Sequence, residues 1–138
     1  AGMTKVYSLI CDNFIIYDSR VAAALGWAIA KFCLATKRET IPQQLNFPWA
    51  PAKEAKDMKS PKCRNPSIGA LRFSRLRSGQ FHAIWNLKAN WLLDETLSCV
   101  TSEHPFKSKV VGSPLRAIEA ALFMIGYDLP NRSTTENK

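Results

Sequence analysis

Proline placement constrains the fold of this chain more than any other feature of its sequence. Five of the eight prolines lie between Thr36 and Gly69, at positions 42, 48, 51, 61 and 66. Proline lacks a backbone donor and its ring clashes with the preceding helical turn, so no long helix can persist there. We expect a long extended connection, which is usually either a functional loop or a disordered one. The alternating apolar residues Leu45, Phe47 and Trp49 are expected to pin it to the core.

Two helical patterns precede this connection. Thr4 to Cys11 carries apolar residues at helical spacing and predicts one short helix. A second helix is predicted after Asp18, whose side chain is expected to cap it by accepting a bond from the first-turn amides. Alanines favour the helical state there, and the apolar residues predict burial on most sides, with Val21, Leu25, Ile29 and Phe32 in the pattern.

Two more helical patterns follow the connection. The block from about Gln80 to Val100 predicts an amphipathic helix with one apolar side, formed by Phe81, Ile84, Trp85, Trp91 and Leu92. The last helix is predicted to begin at Ser113-Pro114 and to stop at Gly126, a residue that suits a left-handed C-terminal turn. Its expected core stripe consists of Leu115, Ile118, Leu122 and Ile125.

These patterns predict an all-α fold of about four main helices with one long Pro-rich connection. The 138 residues suit a single helical domain over residues 1–130, with a flexible polar tail at 131–138. No apolar run is long enough to span a membrane and no secretory leader is visible. We therefore expect a soluble, cytoplasmic protein that has no membrane partner.

The cysteines and histidines do not predict a metal site. The four cysteines are widely spaced with no CxxC pair, and three of them lie in apolar helical patterns, so we interpret them as buried structural thiols, at positions 11, 33, 63 and 99. His82 and His104 have no cysteine or carboxylate at zinc-ligand spacing. The sequence thus predicts neither a metal nor a small-molecule cofactor.

Charge favours a polyanionic partner. Nineteen Lys and Arg residues against eleven Asp and Glu residues give a formal net charge of +8. Nucleic acid is the leading partner, and an anionic membrane surface is the alternative. Basic residues dominate from Lys53 to Arg77, where the candidate phosphate-binding residues are Lys62, Arg64, Arg75 and Arg77. The equally weighted alternative is a solvated loop whose charge serves solubility.

Two short segments near the start resemble the signature of helix-hairpin-helix DNA glycosylases. They are Gly2-Met3-Thr4-Lys5-Val6 and Tyr17-Asp18-Ser19-Arg20-Val21. More narrowly, the chain is similar to a bacterial group of 8-oxoguanine DNA glycosylase-like proteins. The supporting segments are 16–21, Arg64-Asn65-Pro66-Ser67, Ala89-Asn90-Trp91-Leu92-Leu93 and the run from Arg116 to Tyr127.

The resemblance implies a base-excision reaction on duplex DNA. Lys5 would attack the sugar carbon and displace a damaged base, and Asp18 would stabilise the developing positive charge. The base would be flipped into a pocket, for which the possible wall residues are Tyr17, Trp27, Trp85 and Trp91. The alternative is that Asp18 is a plain cap, Lys5 is a solvated lysine, and the chain is a non-catalytic basic module that binds nucleic acid or a protein partner.

The same resemblance raises an expectation about assembly. Glycosylases of this type have a helical lobe before the lysine, and this sequence lacks one. It is therefore interpreted as a fragment, as a subunit completed by association, or as a shortened relative without activity. An apolar face left bare by the missing lobe predicts a homodimer, since large bare patches rarely persist on monomers. An ion pair between Arg20 and Glu119 is a further packing hypothesis.

Overall fold

The computed structural model describes residues 2–11, 13–77, 79–109 and 112–130. The helices are α1 (Gly2–Ile10), α2 (Ser19–Ala35), α3 (Gln80–Cys99), α4 (Pro105–Ser108) and α5 (Pro114–Ile125), with a 3-10 turn at Gln43–Leu45. Across these described ranges the β-structure is limited to two isolated bridges, Trp49 with Arg75 and Ile68 with Leu71. The predicted mostly helical fold and its four main helices are confirmed, and the single-turn α4 is an addition.

The chain divides into two compact units. One unit comprises Ala1–Tyr17 with Arg77–Leu122, and the other comprises Asp18–Leu76 with the chain from Phe123 onward. A single domain over residues 1–130 stays a prediction. The tail expected at 131–138 lies outside the described residues.

In the first unit, the buried face of α3 overlaps only in part with the predicted apolar side. Its buried residues recur at helical spacing and include two asparagines: Trp85, Asn86, Ala89, Asn90, Leu93 and Leu97. Ile84 and Trp91, expected on the apolar side, are 43% and 68% exposed. The prediction for these two residues is wrong because apolar character alone was used to assign the buried face. The buried asparagines bond to the backbone of a neighbouring segment, a pairing that apolar periodicity does not report.

In the second unit, α2 is buried on most sides, as predicted. Residues 21–26 are all buried, together with Ile29, Ala30 and Cys33, whereas Phe32 is 48% exposed. The extended connection packs against this helix closely enough to require a glycine. A Cβ at Gly26 would lie 2.5 Å from the Pro66 Cγ. Phe47 is also fully buried, which confirms that the alternating apolar residues anchor the connection.

Helix α5 ends at Ile125, as predicted, but not for the predicted reason. Gly126 has no positive φ. It is required because a Cβ there would collide with the carbonyl oxygen of Arg20 in α2. The expected core stripe holds for Leu115, which is buried, and fails for Ile125, which is 41% exposed.

The four cysteines are free thiols in different environments. Cys33 is buried and Cys63 is half-buried, whereas Cys11 and Cys99 are exposed. Burial of all four was therefore a wrong prediction. Cys99 is the last residue of α3, and Cys11 directly follows α1. An apolar sequence pattern that reaches a helix end does not guarantee burial there.

Candidate functional site

Asp18 is the N-cap of α2, as the sequence predicts. Its Oδ1 accepts hydrogen bonds from the backbone N–H groups of Arg20 and Val21, both at 2.9 Å. The residue is half-buried and its backbone is extended. Both amides bind the same oxygen, so the cap does not use Oδ2. The carboxylate is thereby fixed in orientation at the positive end of the helix dipole.

Lys5 lies in α1, with its side chain exposed. Its carbonyl oxygen accepts a hydrogen bond from the Ser8 Oγ at 2.8 Å within the helix. Lys5 belongs to the first unit and Asp18 to the second. The meeting of their side chains, which the glycosylase resemblance implies, stays a prediction.

The residues that lead into Asp18 are held by side chains of α3. Asn90 Oδ1 accepts from the Ile15 N–H and Asn86 Oδ1 accepts from the Tyr17 N–H, both at 2.8 Å. The Asn86 amide group also donates to the Ile15 carbonyl at 3.2 Å, and His82 Nε2 lies 2.7 Å from the Tyr17 carbonyl. Since that carbonyl can only accept, His82 is the donor. We call this array of His82, Asn86 and Asn90 the α3 clamp; it satisfies the segment's polar groups as a neighbouring strand would.

Arg64 has a buried, internal role in the second unit. It is 6% exposed, and it donates from Nε to the Tyr127 carbonyl at 2.9 Å and from Nη1 to the Ser19 Oγ at 2.8 Å. Burial, together with the nearby charge of Arg20, lowers the pKa of its guanidinium. Arg64 thus ties the connection to the start of α2 and to the segment after α5. Phosphate binding by Arg64 stays a prediction. The guanidinium would have to bind phosphate while it keeps these two bonds, or give them up.

Lys62 is also engaged within the second unit. Its Nζ lies 2.7 Å from Glu54 Oε1, and its backbone N–H donates to Glu54 Oε2 at 2.9 Å. These hydrogen bonds lower the pKa of Glu54 and raise the pKa of Lys62. A further hydrogen bond between Lys62 and Tyr127 also raises the pKa of Lys62. Phosphate binding by Lys62 would therefore compete with a carboxylate that is already bound.

Arg75 and Arg77 are the two exposed members of the predicted phosphate-binding set. The Arg75 Cζ lies 4.9 Å from the centre of the Trp49 ring, and the Arg77 Cζ lies 4.3 Å from the centre of the Phe81 ring. Sequence reasoning missed these pairings. Trp49 and Arg75 are far apart in the chain, and no local pattern signals their contact.

The other residues singled out by the sequence have mixed environments. Tyr17 and Trp85 are buried, and Trp91 is exposed. Trp27 is half-buried, and its Nε1 has no hydrogen-bond partner among the described residues. Glu119 pairs with Arg116 at 2.9 Å, and Arg20 lies over Phe123 with its Cζ 4.1 Å from the ring centre. Arg20 and Glu119 thus each have a partner different from the one predicted.

The first unit has an open cavity of about 240 Å³. Polar and apolar side chains from α3, α4 and α5 line it, including Asp94, Leu97, Lys107 and Leu115. Lys107 already donates to the carbonyl of Val100 at 2.8 Å. Neither Lys5 nor any of the four basic candidates lines this cavity, so it adds no support to the predicted chemistry.

Comparison with known protein families, with curated proteins and with solved structures found no match for this chain. Within the described ranges, no group of three or more His, Cys, Asp or Glu residues is placed to hold a metal ion. No helix in the same ranges is long and apolar enough to cross a membrane.

Proposed function

We propose that this protein acts on DNA as a base-excision glycosylase and lyase of the helix-hairpin-helix type, on a damaged, 8-oxoguanine-like base. The observation that carries the proposal is the geometry of Asp18. Its carboxylate is fixed at the first turn of α2 by two bonds to one oxygen, and the cap leaves the other oxygen unused. That arrangement supplies an oriented negative charge of the kind that stabilises a cationic transition state.

In the proposed reaction, the Lys5 Nζ forms a bond to the sugar C1′ as the bond from C1′ to the base nitrogen breaks. Asp18 stabilises the positive charge on the sugar and accepts the proton that the lysine amine releases. The base departs with the bonding electron pair and takes up a proton from water. The bond from C1′ to the ring oxygen then breaks with its electron pair on the oxygen, which is protonated by water, and the nitrogen lone pair forms the C=N bond of the Schiff base. The exposed position of Lys5 on a short helix is compatible with access to a flipped nucleotide.

Borohydride trapping tests the role of Lys5. The protein is incubated with duplexes containing 8-oxoguanine or an abasic site, and a covalent product is expected only with Lys5 intact. Lys5→Gln removes both the amine and its charge. Lys5→Arg keeps the positive charge, but on a guanidinium that cannot act as a nucleophile. Both variants should lose trapping, and Lys5→Arg should keep DNA affinity. A wild-type protein that binds DNA but is never trapped contradicts the proposed lyase chemistry.

The proposed catalytic role of Asp18 can be separated experimentally from its role as a helix cap. Asn caps helices about as well as Asp but carries no charge. Asp18→Asn should therefore keep the stability of the wild type and lose base excision, whereas Asp18→Ala should lose both. Full excision by a stable Asp18→Asn variant would show that Asp18 is only a cap.

A second candidate function is a non-catalytic module that binds nucleic acid. The specific observation in its favour is that capping alone accounts for the position of Asp18, while Arg75 and Arg77 remain exposed. This candidate predicts salt-sensitive DNA binding with no covalent product in any variant.

We also propose that the protein resides in the cytoplasm, with access to DNA, and that it self-associates through apolar side chains of α1. Leu9 and Ile10 are 85% and 73% exposed. Large adjacent apolar side chains of this kind favour burial against another surface.

A further inference from the structure

Trp49 and Arg75 are brought side by side by backbone pairing in the second unit. They form a parallel β-bridge, in which the Trp49 N–H donates to the Ser74 carbonyl at 3.0 Å and the Leu76 N–H donates to the Trp49 carbonyl at 2.7 Å. These two bonds flank Arg75 on either side. The contact between its guanidinium and the indole ring therefore rests on a defined backbone pairing.

A side chain reinforces the same pairing. Asn46 donates from Nδ2 to the Arg72 carbonyl at 3.3 Å and accepts from the Ser74 N–H at 3.0 Å. The apolar neighbours Phe47 and Phe73 are 1% and 7% exposed, so both segments are anchored in the core. Together these contacts hold Trp49 and Arg75 on a fixed scaffold, although both lie in the long connection.

The pair has the chemistry of a stacking site. The Arg75 Cζ lies 4.9 Å from the centre of the Trp49 ring, and Arg75 is exposed whereas Trp49 is half-buried. A guanidinium that packs on an indole keeps its edge donors for phosphate oxygens. Unstacked bases bind to aromatic rings and to guanidinium planes.

The net charge of the long connection favours a polyanion. Between residues 46 and 76 the exposed ionisable side chains are five cations and one carboxylate, because Glu54 is bound to Lys62 and Arg64 is buried. The cations are Lys53, Lys56, Lys59, Arg72 and Arg75, and the carboxylate is Asp57.

We propose that Trp49 and Arg75 form a binding site for an unpaired nucleotide of single-stranded nucleic acid. The base stacks on the pair, the nucleotide's phosphate is bound by Arg75, and the other exposed cations of the connection attract the strand. A duplex keeps its bases stacked on one another, so a fully paired strand offers only its phosphates to this site. The inference rests on the nucleic-acid binding part of the proposed function and is independent of the chemistry of Lys5.

The test is fluorescence anisotropy of the full chain with labelled oligo(dT) and with a duplex of equal length, over a range of salt concentrations. Arg75→Gln should weaken oligo(dT) binding by about 5- to 150-fold, the range expected for loss of one stacked base. It should also reduce the slope of log affinity against log salt concentration (the salt slope) by about 0.7, the value for one phosphate contact on a single strand. Arg75→Lys should keep the slope and still lose affinity, because an ammonium is not planar. Trp49→Leu should lose affinity for oligo(dT) more than for the duplex.

Arg38→Gln is the matched control. Arg38 is also exposed and also lies beside an aromatic ring, with its Cζ 5.9 Å from the centre of Phe32, and the substitution removes the same charge. The proposal is overturned if Arg75→Gln binds oligo(dT) as Arg38→Gln does, or if Arg75→Lys binds as the wild type does. The proposal is also overturned if poly-glutamate displaces labelled oligo(dT) as well as unlabelled oligo(dT) does, since that would show that charge alone attracts the strand.

The same preparations distinguish this proposal from the catalytic one. Trapping that depends on Lys5, with single-strand affinity unchanged in Arg75→Gln, rejects only the nucleotide site. Loss of single-strand affinity in Arg75→Gln, with no trapping by any variant, rejects only the glycosylase reaction.

Discussion

At the residue scale, Gly126 shows how a local rule can locate an element end and still give the wrong cause. A glycine after an apolar helical pattern commonly adopts a left-handed conformation. Here the backbone does not, and the absent side chain is what matters, because the Arg20 carbonyl occupies the space of a Cβ. Gly126 is thus a contact residue in the second unit.

We predict that Gly126→Ala lowers the free energy of unfolding by about 1–3 kcal/mol, the usual cost of forcing extra volume into a packed site. Urea denaturation measures this change. At an uncrowded position with ordinary φ, Gly→Ala stabilises by about 0.4–1 kcal/mol by restricting the unfolded chain. The sign of the change in unfolding free energy therefore distinguishes a crowded position from an uncrowded one. Stabilisation by Gly126→Ala would contradict the close approach of the Arg20 carbonyl. Gly69→Asn is the control, because Gly69 has φ of 55° with open space around it, and Asn tolerates that conformation.

The Glu54–Lys62 pair predicts a pH dependence of stability. The pKa of Glu54 is lowered in the folded protein, so its contribution is present above its unfolded pKa, about 4.3, and is lost as the pH falls through the lower folded pKa. The pKa of Lys62 is raised, so its contribution is present below about 10.4 and is lost as the pH rises through the higher folded pKa. Both contributions are complete near pH 7.

Glu54→Gln should therefore lower the thermal midpoint at pH 7 and have a smaller effect at pH 3, where the wild type has itself begun to lose the pair. Differential scanning calorimetry at the two pH values measures this. Glu39→Gln, which neutralises an exposed carboxylate in the same unit, is the control. Equal effects of Glu54→Gln at both pH values would show that the ion pair does not contribute.

At the element scale, the α3 clamp explains why a helix buries two asparagines on its core face. The segment 15–17 has no regular secondary structure and pairs with no strand among the described residues, so its buried N–H and carbonyl groups need other partners. Residues at i and i+4 lie on one helix face, and the clamp side chains follow that spacing. The asparagines are 0% and 6% exposed, which makes each of their bonds costly to lose.

We predict that Asn86→Ala destabilises the protein by about 1–3 kcal/mol, the cost of leaving a buried donor without a partner. The substitution removes the side-chain oxygen that accepts from the Tyr17 N–H. Leu87→Ala, on the next residue of the same helix, removes a side chain that is 44% exposed and should change stability by no more than about 0.5 kcal/mol. Chemical denaturation of both variants tests the clamp. Equal stabilities would indicate that water replaces the asparagine.

At the scale of the whole molecule, the large net positive charge coexists with exposed apolar side chains on α1. Repulsion between like-charged molecules opposes self-association, and burial of apolar surface favours it. Added salt screens the first effect and leaves the second largely unchanged. Self-association through α1 should therefore strengthen as ionic strength rises.

We predict a concentration-dependent dimer in sedimentation velocity that is favoured at about 0.5 M salt, where the Debye length is only several ångströms. Leu9→Glu should give a monomer under all conditions, because it places a charge on the most exposed apolar position among the described side chains of α1. Glu95→Gln, on the exposed surface of α3, is the control for a change in charge. A wild-type monomer at high salt would reject self-association.

The sequence by itself determined the four main helices and their approximate ends. Alanine content, apolar spacing and an Asp cap located α2, and proline placement located the connection, because helix propensity, capping and proline sterics act over a few residues. Composition likewise determined the net charge. The roles of individual side chains were only partly predictable, since Asp18 was correctly identified as a cap but Trp91 and Ile125 were wrongly assigned to buried faces.

Only the tertiary structure decided which residues meet. It engaged Lys62 and Arg64 with protein groups and left Arg75 exposed beside Trp49, although all three cations look alike in the sequence. It also placed Asn86 and Asn90 in the core, where polar residues are expected only if a partner exists. The physical reason is that burial and pairing depend on contacts between segments distant in the chain, and no local pattern of residues encodes those partners.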